Sequence, residues 1–77
     1  MRVSVVLHSY LRDLLPPEAR GVTTLELPEG ARVKDVAARL GLPDHAIFAL
    51  NERLARDREL PLEDGDVLTL LPILGGG

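Results

Sequence analysis

The chain opens on a two-residue rhythm. Val3, Val5 and Leu7 alternate with Arg2, Ser4, Val6 and His8, the spacing of a strand with one face toward a core. The rhythm returns at Thr23, Leu25 and Leu27, with Thr24 and Glu26 on the other side. Between these strands Leu11, Leu14 and Leu15 have helical spacing for one short turn, which Ser9 is placed to cap and Pro16-Pro17 to stop. Arg20-Gly21 predicts the turn into the second strand, so the first two strands form an antiparallel pair. After the turn signal Pro28-Glu29-Gly30 the period changes. Val33, Val36, Ala37 and Leu40 fall at i, i+3, i+4 and i+7, the stripe of an amphipathic helix whose Lys34, Asp35 and Arg39 face water. Gly41 and Pro43 end that helix. Ile47 to Leu50 is a short apolar run expected as a buried strand, Asn51-Glu52 a turn toward Leu54, and Asp64-Gly65 a tight turn. Val67 to Leu71 is the last strand, closed by Pro72. It is apolar on both faces, which predicts a central place in the sheet or an outer face that meets a partner.

Strand, strand, helix, one or two strands, strand is an α+β order. Its economical packing is a mixed sheet with one main helix laid across one face, the β-grasp arrangement. Seventy-seven residues make one small domain. The expected division is a β-grasp domain over residues 1–72 and a flexible tail over 73–77.

Composition narrows the chemistry. Nine basic against twelve acidic residues give a net charge of -3, which argues against nucleic acid. Tyr10 and Phe48 supply no stacking platform for single strands. The absence of cysteine excludes disulfides, zinc–thiolate sites and thiol catalysis, so any sulfur chemistry would have to use the chain terminus. No apolar stretch approaches a membrane span and no signal peptide is visible, so a cytoplasmic location is expected. His8 and His45 lack ligand partners at useful spacing, and no metal site is expected. Asp64 and Asp66 read as turn formers and solvated charges, and Arg53, Arg56 and Arg58 as a solvated loop. No nucleophile sits beside a base, so the chain does not read as a self-sufficient enzyme.

The sequence ends Gly75-Gly76-Gly77. A glycine end is a backbone without side chains that finishes in an α-carboxylate, and it can enter a narrow channel. From Pro72 to Gly77 an extended chain spans about 20 Å. The expectation is that the reacting group is the carboxylate of Gly77, with Gly76 beside it.

Several stretches, in this order, resemble the MoaD/ThiS family of ubiquitin-like sulfur carriers, which includes the small subunit of molybdopterin synthase and the sulfur carrier of thiamine synthesis. They are Tyr10-Leu11-Arg12-Asp13-Leu14 after the first strand, Leu27-Pro28-Glu29-Gly30 before Val33-Lys34-Asp35-Val36, then Leu50-Asn51 and Leu62-Glu63-Asp64-Gly65-Asp66-Val67. Leu71-Pro72-Ile73-Leu74 leads to the terminal glycines. The chain departs from the family pattern at Arg32, where Ser or Thr usually caps the helix. It departs again at Glu52, where glycine is common, at Ile73 in place of a second proline, and at Gly75, which extends the glycine pair to three.

The resemblance implies adenylation of Gly77 by a ubiquitin-activating-type enzyme that uses ATP and Mg²⁺, with no cofactor bound by the chain itself. Sulfur from a cysteine desulfurase or a rhodanese then gives a Gly77 thiocarboxylate, which passes sulfur to an acceptor such as a molybdopterin synthase large subunit. It also implies partner docking through the sheet face and the base of the tail, at Leu71, Pro72, Ile73 and Leu74 with Gly75. The molybdopterin or tungstopterin branch is favoured over thiamine or tRNA thiolation. A ubiquitin-like protein modifier and a non-covalent β-grasp interaction module with an inert tail remain as alternatives. Neither nucleic acid nor a membrane is an expected partner.

Overall fold

The computed structural model describes residues 1–43 and 46–72. Five strands form one sheet: β1 (Arg2–Leu7), β2 (Val22–Glu26), β3 (Ile47–Leu50), β4 (Arg53–Ala55) and β5 (Val67–Leu71). Their spatial order is β2-β1-β5-β3-β4. β1 pairs antiparallel with β2 and parallel with β5, and β3 runs antiparallel to both β5 and β4. β5 is therefore the middle strand, as its two apolar faces predict. The single α-helix, α1 (Val33–Leu40), crosses one face of this mixed sheet. This is the β-grasp arrangement.

The alternation along the strands decides which face α1 covers. Val3, Val5, Leu7, Leu25, Phe48, Leu68 and Leu70 point to one side, where Val33, Val36 and Ala37 of α1 meet them in one continuous core. Phe48, at 1% exposure, is the largest of the fully buried side chains. Leu11, Leu27, Leu42 and Leu62 close the core from the loops.

The ends of α1 show how local chemistry substitutes for a missing cap. Arg32 stands at the N-cap and its side chain accepts nothing. The Asp35 carboxylate instead reaches back to the Arg32 N–H at 2.7 Å, which is half of a capping box. The N–H groups of Val33 and Lys34 donate to the carbonyls of Leu60 and Arg58 at 3.1 and 2.9 Å. The loop before β5 thus supplies the acceptors that a Ser or Thr would supply elsewhere, and it is tied to the helix in return. At the other end Gly41 takes φ 72°, and the Leu42 N–H reaches back to the Ala37 carbonyl. This is a left-handed stop sealed by a buried leucine.

The segment between β1 and β2 differs from expectation. The leucine spacing there forms 3-10 turns, Ser9–Leu14 and Pro17–Ala19, and no α-helical turn. Ser9 does not cap: it lies inside the first turn at φ 55°, and His8 occupies the cap position without a side-chain bond. The parallel β1–β5 pair explains why the chain turns so sharply here. His8 still donates its N–H to the Leu70 carbonyl at 3.1 Å, so the chain must leave the sheet within one residue. Arg20 and Gly21 make the turn into β2 with φ 56° and 77°.

Candidate functional site

Two ends and two faces of the sheet define the candidate site. At one end the chain is clasped. Asn51 and Glu52, at φ 50° and 74°, form the two-residue turn between β3 and β4. The Asn51 amide donates to Asp66 at 2.8 Å, and its carbonyl oxygen accepts the Val67 N–H at 2.9 Å. Asp66 also accepts the Glu63 N–H, and Asp64 accepts the Arg2 N–H, each at 2.7 Å. The two aspartates are thus hydrogen-bonded fasteners of the start of β5 and β1, and not merely the solvated turn charges the sequence suggests. Arg58 is corrected in the same way: it is half-buried and donates to the Pro43 carbonyl at 2.8 Å.

At the opposite end β5 delivers the chain toward its terminus. Leu71 pairs with Ile47 at the start of β3, and Leu70 with Leu7 at the end of β1. Leu71 and Pro72 are both half-buried there. Of the tail residues singled out in the sequence, Ile73, Leu74, Gly75, Gly76 and Gly77 lie outside the described residues, as does His45.

The face away from α1 carries a second apolar row. Reading along the register, Val22 lies beside Val6, Val6 beside Thr69, Thr69 beside Ala49, and Ala49 beside Leu54. That row crosses all five strands. Leu71 and Ile47 form the next step toward the tail, and Val67 lies on the other side. Nothing among the described residues covers this face, and Leu54 is 71% exposed and Val22 50%. Of this face the sequence pointed to Leu71 as a docking residue and to the strand Val67 to Leu71 as apolar on both sides. The signal for the others was present: Val6, Val22 and Val67 are apolar at positions where strict alternation calls for polar side chains.

The face is edged by one well-formed ion pair, Arg2 with Glu26 at 2.8 Å. The hydrogen bond first, and then the charge of Glu26, raise the Arg2 pKa above its ordinary value, so this guanidinium stays charged at any accessible pH. Among the described residues no cluster of three or more metal-binding side chains occurs, and no helix is long and apolar enough to cross a membrane. The described surface offers docking features, an apolar face running to the base of the tail, and no arrangement of nucleophile and base.

The mixed five-stranded sheet crossed by one main helix defines the ubiquitin-like β-grasp class. The ThiS family model matches residues 12–77, and the chain belongs to that family. It is similar over 94% of its length to a solved structure described as molybdopterin converting factor, subunit 1, from Pyrococcus furiosus (26% identity, TM-score 0.75, 97% of that chain covered). It is similar over its whole length, and that of the other chain, to a structure described as a protein-protein complex of subunits 1 and 2 of the molybdopterin-converting factor from Helicobacter pylori (25% identity, TM-score 0.69). Small archaeal modifier protein 1 from Haloferax volcanii shares the fold at 18% identity, with a TM-score of 0.74 and 92% and 95% of the two chains covered. No curated sequence is significantly similar to the chain.

Proposed function

We propose that this protein is a sulfur carrier of the cytoplasm that works through the carboxylate of Gly77. The observation that carries the reading is that the family match runs through the glycine end, to residue 77, while the apolar open face leads to Leu71 and Pro72 at the base of that end. A carboxylate is ionised at neutral pH and is a poor electrophile, so it needs activation. A ubiquitin-activating-type enzyme with ATP and Mg²⁺ converts it to an acyl-adenylate with loss of pyrophosphate. A persulfide from a cysteine desulfurase or rhodanese displaces AMP, and cleavage of the acyl disulfide by a thiol leaves the thiocarboxylate. The chain itself is the substrate and carrier, not the catalyst. The acceptor favoured is a molybdopterin or tungstopterin synthase large subunit, in keeping with the subunit 1 and subunit 2 complex formed by the Helicobacter relative.

The domain of residues 1–72 presents the docking surface, and residues 73–77 are the part that enters the partner's channel. Gly76 and Gly77 lack a Cβ, so channel walls can close on them and keep water from the adenylate. The test is intact mass after incubation with the host's activating enzyme, ATP and a persulfide source. The expected result is a gain equal to one oxygen replaced by sulfur, mapped to Gly77 and absent without ATP. Gly76→Val is expected to melt like the unsubstituted protein and to gain no sulfur, because its side chain blocks the channel. A variant that is activated normally rejects the channel argument. Products separate this reading from a protein modifier, which leaves high-mass lysine conjugates instead of a small thiolated metabolite.

A further inference from the structure

Beside the tail base lies an open cleft of about 440 Å³, formed by the 3-10 turns between β1 and β2. Leu15, Pro16 and Pro17 give it apolar walls, and Arg12 and Arg20 line it with guanidinium groups. Asp13 is the one acidic side chain on the lining, so two cations against one anion leave the cleft at +1 in a chain of net charge -3. Among the described residues neither guanidinium makes a hydrogen bond or an ion pair. Arg53 and Arg56 are likewise unengaged among the described residues but line no cleft with a second arginine, whereas Arg2, Arg32 and Lys34 are engaged with carboxylates, and Arg39 and Arg58 with carbonyls.

The Arg12 side chain lies over Gly21. Gly21 is buried at φ 77°, and a Cβ there would stand 2.9 Å from the Arg12 Cγ and 3.2 Å from its Nε. The Leu7 carbonyl oxygen would stand closer still, at 2.7 Å, so the glycine leaves room for both the β1 backbone and the Arg12 side chain. Its guanidinium is exposed with its hydrogen-bonding capacity unspent, and so is open to a bidentate pair with a carboxylate.

The cleft also has a fixed relation to the tail. Its floor is bonded to the sheet end from which the tail departs: Leu7 donates to the Gly21 carbonyl at 2.6 Å, and His8 to the Leu70 carbonyl, one residue before Leu71. A protein that docks at the base of the tail, at Leu71 and Pro72, meets this end of the sheet.

We propose that the Arg12–Arg20 cleft is a second docking site that takes an acidic segment of the enzyme receiving the tail, a carboxylate side chain flanked by apolar residues. The arginines pair with the carboxylate while Leu15 and the two prolines hold its apolar neighbours, and this fixes the orientation in which the tail is presented. The inference rests on the carrier reading for the identity of that enzyme. Its test therefore measures binding and not sulfur transfer, so a carrier that binds but is never thiolated defeats the first reading and not this one.

The experiment measures the Kd of the full-length protein for its host's adenylating enzyme, for the unsubstituted chain, Arg12→Gln, Arg20→Gln and Arg53→Gln. All three arginines are exposed and without side-chain bonds among the described residues, so the variants should melt alike. Arg12→Gln and Arg20→Gln are each expected to weaken binding about tenfold, and Arg53→Gln less than about twofold. Equal losses in all three variants would reduce the effect to general electrostatic steering and overturn the site. No loss at Arg12 and Arg20, or no binding by the unsubstituted chain, overturns it as well. Amide shifts across the cleft with inorganic phosphate, alongside partner binding indifferent to Arg12→Gln, would reassign it to a small anion.

Discussion

Both faces of the sheet carry an apolar row, and the two rows meet different fates. On one, Val3, Val5, Phe48, Leu68 and Leu70 are covered by α1 and reach zero to 2% exposure. On the other, Val22, Val6, Ala49 and Leu54, with Thr69 between Val6 and Ala49, form a row across all five strands in which Leu54 and Val22 are exposed and Val6 and Ala49 half-buried. An apolar row is therefore not in itself a core. It becomes one only when the chain supplies a second layer, and among the described residues α1 is the one α-helix that does so. The covered face holds the fold together. The open face keeps apolar area available for association, at the cost of carrying exposed Leu54 and Val22 in the free protein.

The sharpest way to break this comparison is to truncate one residue on each face. Phe48→Ala removes a side chain that is 1% exposed in the middle of the core, and should cost about 3–5 kcal/mol in chemical denaturation. A domain of this size has about 4–11 kcal/mol in all, so the loss takes a large share of the total and unfolds the variant outright at the low end of that range. Leu54→Ala, at 71% exposure, should move stability by less than about 0.5 kcal/mol while weakening partner binding. If Leu54→Ala destabilises the isolated protein as Phe48→Ala does, the open face is part of the fold and not an interface.

How far the sequence revealed this follows from what each signal encodes. Alternation in β1 and β2, the i, i+3, i+4 stripe of α1, and the apolar run of β5 all report burial directly, and each came out in the place expected. The turns at Asn51-Glu52, Gly41 and Asp64-Gly65 were legible because glycine and asparagine mark the left-handed region. What stayed hidden depends on residues distant in sequence. The helix start looked uncapped at Arg32 because its acceptors, the Arg58 and Leu60 carbonyls, arrive from a loop more than twenty residues later. The Arg12–Arg20 cleft was hidden because Gly21 reads as an ordinary turn glycine until Arg12 is seen lying over it.

A smaller effect tests the clasped end against the tail end. Asn51 sits in the left-handed region, which asparagine tolerates well, and its amide holds Asp66 and the Val67 N–H together. Asn51→Ala should cost about 1–2 kcal/mol, since it loses two hydrogen bonds and leaves alanine at φ 50°. Hydrogen exchange should quicken at β3, β4 and the start of β5 more than at β1 and β2. Uniform quickening would mean that the clasp stabilises the whole fold and does not pin one end.

The smallest change should run the other way. Glu52 occupies the second position of the same turn at φ 74°, where a side chain carries a strain of about 1–2 kcal/mol and glycine none. It is exposed and, among the described residues, its side chain makes no hydrogen bond or ion pair. Its removal therefore forfeits nothing in the folded state, while glycine adds freedom to the unfolded chain and recovers only part of the strain. Glu52→Gly should thus raise stability by about 0.5–1 kcal/mol in denaturant titration. The turn lies at the end of the sheet away from the tail, so the gain should come with unchanged sulfur loading. A loss of stability would show that Glu52 has a favourable role that its geometry does not reveal. A gain in stability with reduced loading would extend the working surface from the tail end to the clasped end, against the division drawn above.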